Sequence, residues 1–228
     1  MKNIKIQFDR FGNYGNVDWI KSPRLIDYQN SFDWMLYYVK KIQIENANEL
    51  VWLLEHKDIY TAGTSAKDYD FKGLSNIKVL KTNRGGQWTW HGPGQRIVYF
   101  MMNLNNRRTD VRWYVNKLEQ LLIDSLKEFS ITAERRERLP GVWVKRTINS
   151  RERIDKIGAI GIRISRWIAY HGISININPD LSNYDGIVPC GVTQGGVTSI
   201  ADLGIKLSMD DFDQALAHNF ENLFHNHI

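Results

Sequence analysis

The run Lys156-Ile157-Gly158-Ala159-Ile160-Gly161-Ile162 and, five residues on, Ile168-Ala169-Tyr170-His171-Gly172-Ile173-Ser174-Ile175 decide the fold. β-branched residues recur through both, as strands favour. The short gap suits a hairpin, and Val142-Trp143-Val144 upstream is close enough to join it. Working outward, further strands are expected at 4–8, 50–54, 77–80 and 97–104. Helix 27–44 is marked by Tyr28, Phe32, Met35, Leu36 and Val39 at spacings of three and four. A clearer stripe, Val111, Tyr114, Val115, Leu118, Leu121, Leu122 and Leu126, predicts a helix over 110–129 capped by Thr109 or Asp110. A last helix spans 209–224. Strands joined by short turns, with helices between groups of them, predict an α+β fold with a mostly antiparallel or mixed central sheet. No repeat, linker or change in composition divides 1–228, so a single domain is expected.

Composition narrows the class. Of 228 residues, 43% are hydrophobic and 24% charged, which excludes an intrinsically disordered chain. The longest apolar runs, 34–39 and 97–102, are six residues each, against about 20 for a membrane span. The first residues lack the apolar stretch of a secretory signal, so a soluble, cytoplasmic protein without a membrane partner is expected. A single cysteine, Cys190, rules out an internal disulfide and a cysteine-rich zinc site. The six histidines show no metal-ligand spacing, so no metal is expected. The net charge is +5, yet 134–166 alone holds ten basic residues against four acidic ones. That window points to an acidic partner, or is simply a solvated basic hairpin.

Three segments do not read as scaffold. Arg84-Gly85-Gly86-Gln87-Trp88-Thr89-Trp90-His91-Gly92-Pro93-Gly94-Gln95 has four glycines in twelve residues. Such a loop lets backbone N–H groups approach a ligand, and equally describes a turn packed with aromatics. Arg84 is suited to hold an anion or a carbonyl oxygen, and strand-like alternation over 87–91 puts Trp88 and Trp90 on one face. No phosphate-loop motif is present. In the second segment, Lys156 heads a strand of small and apolar residues; it either reaches solvent or is held in a cleft where its ammonium would lower a thiol's pKa. In the third, Pro189 and Gly191 flank Cys190 in a turn, which favours a nucleophile over the inert buried thiol that a lone cysteine often is.

Together these blocks resemble the lipoyl(octanoyl) transferase family. The resemblance runs in order from about residue 55 to 200: Tyr60-Thr61-Ala62-Gly63-Thr64-Ser65, the Arg84–Gln95 segment, Gly141-Val142-Trp143-Val144, Lys156-Ile157-x-Ala159-Ile160-Gly161, Tyr170-His171-Gly172, Asn176, Pro189-Cys190-Gly191 and Val197-Thr198-Ser199. It implies the catalytic fold of biotin and lipoate protein ligases. It also implies an octanoyl or lipoyl group delivered as a thioester by acyl carrier protein and passed to a lysine of a lipoyl domain. By position, Cys190 matches the family's nucleophile and Lys156 the lysine that activates it. Substrate contacts are implied for Arg84, Gly85, Gly86, Gln87, Trp88, Thr89, Trp90 and His91, for Ala159, Ile160 and Gly161, and for Gly172, Ile173 and Ser174. No cofactor is implied. The carrier and lipoyl domains of such systems are acidic, which gives the basic window a candidate meaning.

The sequence departs from the family pattern in three places. Trp90 replaces a usual tyrosine and Trp88 a smaller aliphatic, so a shorter acyl tail is expected if either lines the tail pocket. The 145–155 stretch is longer and more basic than the family's connection. Two rival functions are an ATP-dependent lipoate or biotin ligase, which needs no nucleophilic cysteine, and a nucleic-acid binder. The second is disfavoured, because only Trp143 and Trp167 fall in or beside the basic window.

Overall fold

The computed structural model describes residues 6–14, 16–73, 76–188 and 195–225. In chain order the elements are β1 (Asp9–Tyr14), β2 (Val17–Lys21), α1 (Tyr28–Glu45), β3 (Leu50–Leu54), β4 (Ile59–Ala62), β5 (Lys78–Lys81), β6 (Trp88–His91), β7 (Gln95–Asn103), α2 (Val111–Lys127), β8 (Glu134–Arg136), β9 (Leu139–Ile148), β10 (Arg151–Ser165), β11 (Ile168–Asn176), β12 (Gly196–Val197) and α3 (Met209–His225). Among the described residues the main sheet runs β1-β2-β3-β7-β11-β10-β9-β8, with β12 added alongside β10; a smaller sheet runs β5-β4-β6. The β2–β3, β4–β5 and β10–β12 pairs are parallel and the rest antiparallel, which is the expected mixed α+β arrangement.

Both faces of the main sheet are covered, which explains why β3 and β7 read as unbroken apolar runs rather than alternating ones. Trp52, Leu54, Ile97, Tyr99 and Met101 pack with Met35, Val39 and Ile42 of α1. Their neighbours in sequence, Val51, Leu53, Val98, Phe100 and Met102, pack with Leu118, Leu122, Phe212, Leu216 and Phe220 of α2 and α3. The helix starts are capped as their sequences dictate: Asp27 accepts from Gln29 N–H at 2.9 Å, and Asp110 from Trp113 N–H at 3.0 Å. Among the described residues no helix is long and apolar enough to cross a membrane.

The 145–155 stretch prolongs a hairpin. Ile148 pairs with Arg151 around Asn149 and Ser150, which have φ of 50° and 62°. Ser165 pairs with Ile168 around Arg166 and Trp167, at 50° and 63°. Two central residues with positive φ define the two-residue turn that matches strand twist. Of the strand expected at 4–8, the described residues 6–8 are irregular, and β1 begins at Asp9. Phe8 instead lies edge-on to Trp52 at 5.3 Å and tilted against Trp34 at 4.7 Å, so its apolar character marks aromatic packing and not a ladder.

Candidate active site

The glycine-rich segment from Arg84 leads from β5 into β6 and lies against β10. Gly85 N–H donates to Ile162 O at 3.1 Å. A Cβ on Gly161 would sit 3.2 Å from the Gly85 carbonyl oxygen, so both glycines permit this approach of two backbones. The other side of the loop is stitched to the 63–65 turn, where Thr64 and Ser65 donate to the carbonyls of Arg84 and Gly86. Arg84 is buried, and its guanidinium donates to Thr61 Oγ1 and to the carbonyl oxygens of Thr61 (2.7 Å), Gln87 (2.7 Å) and Gly85 (2.9 Å). The side chain therefore holds carbonyls and fixes the loop's shape.

Between this loop, β10, β11 and the start of α1 lies a cavity of about 430 Å³. It is lined by Arg84, Gly85, Gly86, Gln87, Trp88, Thr89, His91, Lys156, Ala159, Ile160, Gly161, Gly172, Ile173 and Ser174. The register explains part of the convergence: Ala159 pairs with Ser174, Ile160 with Ile173 and Gly161 with Gly172 across β10 and β11. Trp90 is absent from the wall. It does share a face with Trp88, but that face packs into the small sheet's own core, where Trp90 meets Tyr184 edge-on at 5.5 Å. Trp88 stacks on Phe71 at 4.5 Å and donates from Nε1 to Lys67 O at 2.8 Å, while one edge still borders the cavity. Tyr28, Tyr99, Ile97, Arg138, Leu139 and Pro140 also line the cavity. Of these, only the Pro140-Gly141 turn carried a local signal in the sequence.

Lys156 sits in β10 between β9 and β12, opposite Trp143 and Val197. A bulge between Lys156 and Gly158 re-aims it relative to the strand beyond. The side chain is 6% exposed, its Nζ donating to Pro140 O at 2.8 Å and lying 5.1 Å from the Trp143 ring centre. The cleft alternative is therefore the observed one. Cys190 lies outside the described residues. Beyond it in sequence, Gly196 N–H donates to the fully buried Asp155 at 2.8 Å.

Three buried histidines surround the inner wall. Burial, then His56 and Arg84, hold His91 well below the ordinary range; burial, then Arg84 and His56, push His171 down to about 3; burial pushes His56 down to about 4. All three are neutral near pH 7. Gln95 Nε2 donates to Asn176 Oδ1 (2.9 Å) and Tyr184 Oη (2.7 Å), so its oxygen faces His91, which carries its proton on Nδ1 (2.7 Å). Among the described residues no cluster of His, Cys, Asp and Glu is set to hold a metal ion.

Eight of the ten basic residues of the 134–166 window are exposed, Arg146 is half-buried and Lys156 is buried, and several are ion-paired within the chain. Arg146 and Arg153 converge on Asp155, Arg146 also reaches Asp202, and Arg135 pairs with Glu119. Lys145 pairs with Glu134, and Lys156 is buried. Arg136, Arg138, Arg151, Arg163 and Arg166 are exposed, as are the ion-paired Arg135, Lys145 and Arg153, with Arg138 at the edge of the cavity.

The family model of the lipoyl protein ligase A/B catalytic domain matches residues 27–221. The octanoyltransferase of Bartonella quintana is 48% identical over 91% of this chain and 87% of its own length. That of Brucella melitensis is 48% identical over 91% and 81%. A solved bi-partite lipoate protein ligase from Thermoplasma acidophilum, from a study with its E2 lipoyl domain, superposes with a TM-score of 0.65 at 14% identity, over 88% of this chain and 82% of that one; the likeness is one of fold. The chain belongs to the lipoyl protein ligase A/B catalytic-domain family. Its octanoyltransferase relatives place it among the acyltransferases of that family.

Proposed function

We propose that residues 1–228 act as one catalytic domain that transfers an octanoyl or lipoyl group from acyl carrier protein to a lipoyl-domain lysine, by way of a thioester on Cys190. The single observation that carries this reading is the buried Lys156 side chain at a cavity whose wall is shared by the 84–89, 159–161 and 172–174 stretches. A volume of about 430 Å³ is suited to a small apolar group. Burying the seven carbons beyond an octanoyl carbonyl contributes about 6 kcal/mol at ~0.8 kcal/mol per CH₂ group.

In the first step the Cys190 thiolate attacks the thioester carbonyl carbon. The tetrahedral adduct expels the carrier's pantetheine sulfur, which takes a proton from Lys156. In the second, the lipoyl-domain amine attacks the acyl-enzyme, neutral Lys156 accepts its proton, and the cysteine thiolate departs. The β12 pairing supports bringing these two residues together, since the strand that follows Cys190 lies beside Lys156. Backbone N–H groups near Cys190 and in the 84–91 loop are the candidate donors to the oxyanion. The low histidine pKa values leave those side chains neutral, so none of the three supplies a positive charge at this cavity.

Intact-mass analysis after incubation with octanoyl carrier protein tests the reading. The expected result is an octanoyl adduct formed without ATP, discharged by an apo lipoyl domain and lost in Cys190→Ser. An ATP requirement with free octanoate would instead mark a ligase.

A further inference from the structure

We infer that Glu119 is a positioning residue for Lys156, acting through the peptide bond between Pro140 and Gly141. The inference rests on the role proposed for Lys156. Glu119 comes from α2 and is 5% exposed. One carboxylate oxygen accepts from Gly141 N–H at 3.0 Å, and the other lies 3.2 Å from Arg135 Nε. The carbonyl of that same peptide unit, Pro140 O, accepts from Lys156 Nζ at 2.8 Å. Because the peptide is planar and rigid, fixing its N–H end fixes its carbonyl end. A carboxylate at the N–H and an ammonium at the carbonyl both align with the peptide dipole, and in a buried setting such bonds strengthen one another.

The local sequence fits this task. Gly141 has φ of +124°, and a Cβ there would stand 2.4 Å from Lys156 Cε and 2.6 Å from Gly158 O. The absent side chain is thus the space the lysine occupies. An ion pair with Arg135, itself 38% exposed, would not require the carboxylate to be buried. Removing Glu119 leaves the Gly141 N–H without its acceptor and lets the peptide turn, which loosens the contact that aims Lys156.

The test uses the full-length protein. Single-turnover acylation by octanoyl carrier protein and iodoacetamide alkylation of Cys190, the chain's only cysteine, are measured from pH 6 to 9, with thermal melts of each variant. Glu119→Ala is expected to slow acylation at pH 7 by about tenfold, and to move both pH profiles upward by about one unit, because the thiolate loses a well-placed cation. Glu119→Gln keeps an acceptor without the charge and should fall between parent and alanine; it carries the test if the alanine variant does not fold. In a Lys156→Met background, Glu119→Ala should slow acylation no further. Profiles that superpose on the parent's, or rates that fall only with the folded fraction, would overturn the inference. If Lys156→Met itself acylates at the parent rate, the role proposed for Lys156 fails; if only the Glu119 profiles stay unmoved, that role stands and the inference fails.

Discussion

Arg84→Lys separates a loop staple from a ligand contact. The guanidinium spans the carbonyl oxygens of Thr61, Gly85 and Gln87, all within 2.9 Å. A lysine keeps the charge but concentrates its donors at one point, so it satisfies one of these acceptors and leaves two. An unsatisfied buried acceptor costs about 1–3 kcal/mol; Gln87 O keeps its bond from Gly63 N–H at 3.2 Å and the open cavity beside the loop lets water reach part of the site, which both favour the lower half of that range. The expected loss is therefore about 3 kcal/mol. For a chain of this size, 1 kcal/mol corresponds to roughly 2–4 °C in Tm, so the melt should fall by roughly 6–12 °C. Because the loop forms the cavity wall, KM for the acyl donor should rise more than kcat falls. The assays are a thermal melt and steady-state kinetics on the same preparation. A Tm within 2 °C of the parent would refute the staple; if KM still rose, Arg84 would be a ligand contact.

Three further predictions follow the same geometry. Trp88→Ala should move the preferred donor from eight toward ten carbons, whereas Trp90→Ala should cost about 3–5 kcal/mol of stability and leave the preference unchanged; both are read from turnover of six-, eight-, ten- and twelve-carbon donors with melts. For His56, His91 and His171 the folded-state pKa lies below the unfolded value, so the unfolded chain binds more protons as pH falls. Stability is full above about pH 6.5 and is lost toward the folded-state values, with about 2 kcal/mol lost for each of His56 and His171 between pH 7 and 5 and a loss of the same sign for His91. Denaturant titrations at the two pH values should show it, and equal midpoints would contradict the buried neutral histidines. Replacing Arg136 and Arg138 together with alanine should raise KM for carrier protein several-fold at low salt and have no effect near 0.5 M. Arg146→Ala should lower Tm instead, since it breaks the ties to Asp155 and Asp202; equal salt dependence for both variants would reject the distinction between half-buried Arg146 and the exposed arginines.

Reading the fold from the sequence worked where a period was long enough to repeat. Helices α1, α2 and α3 each bury one stripe over four or more turns, and their expected limits lie within two residues of those observed. β2 and β4 went unread because five and four residues, some of them charged, do not display a period. At 6–8 the apolar residues were visible but their purpose was not, since packing on Trp34 and Trp52 and pairing in a ladder demand the same residue types. The same ambiguity hid Trp90: alternation put it beside Trp88, but could not say which core that face would meet.

The candidate site divides along similar lines. The residue types alone leave structural readings open for the thiol, the lysine and the glycine-rich loop; acyl transfer is implied by the resemblance of the ordered set of motifs to the lipoyl(octanoyl) transferase family. The hairpin register of β10 and β11, set by a two-residue turn, makes part of the cavity wall a consequence of local sequence. Partnership is what the sequence does not contain. That Arg84 holds carbonyls, that Arg146 and Arg153 face Asp155, and that Glu119 reaches the peptide beside Lys156 all depend on segments brought together from distant parts of the chain. Hydrogen bonds and ion pairs act over a few ångströms, and only the folded backbone decides which groups come that close.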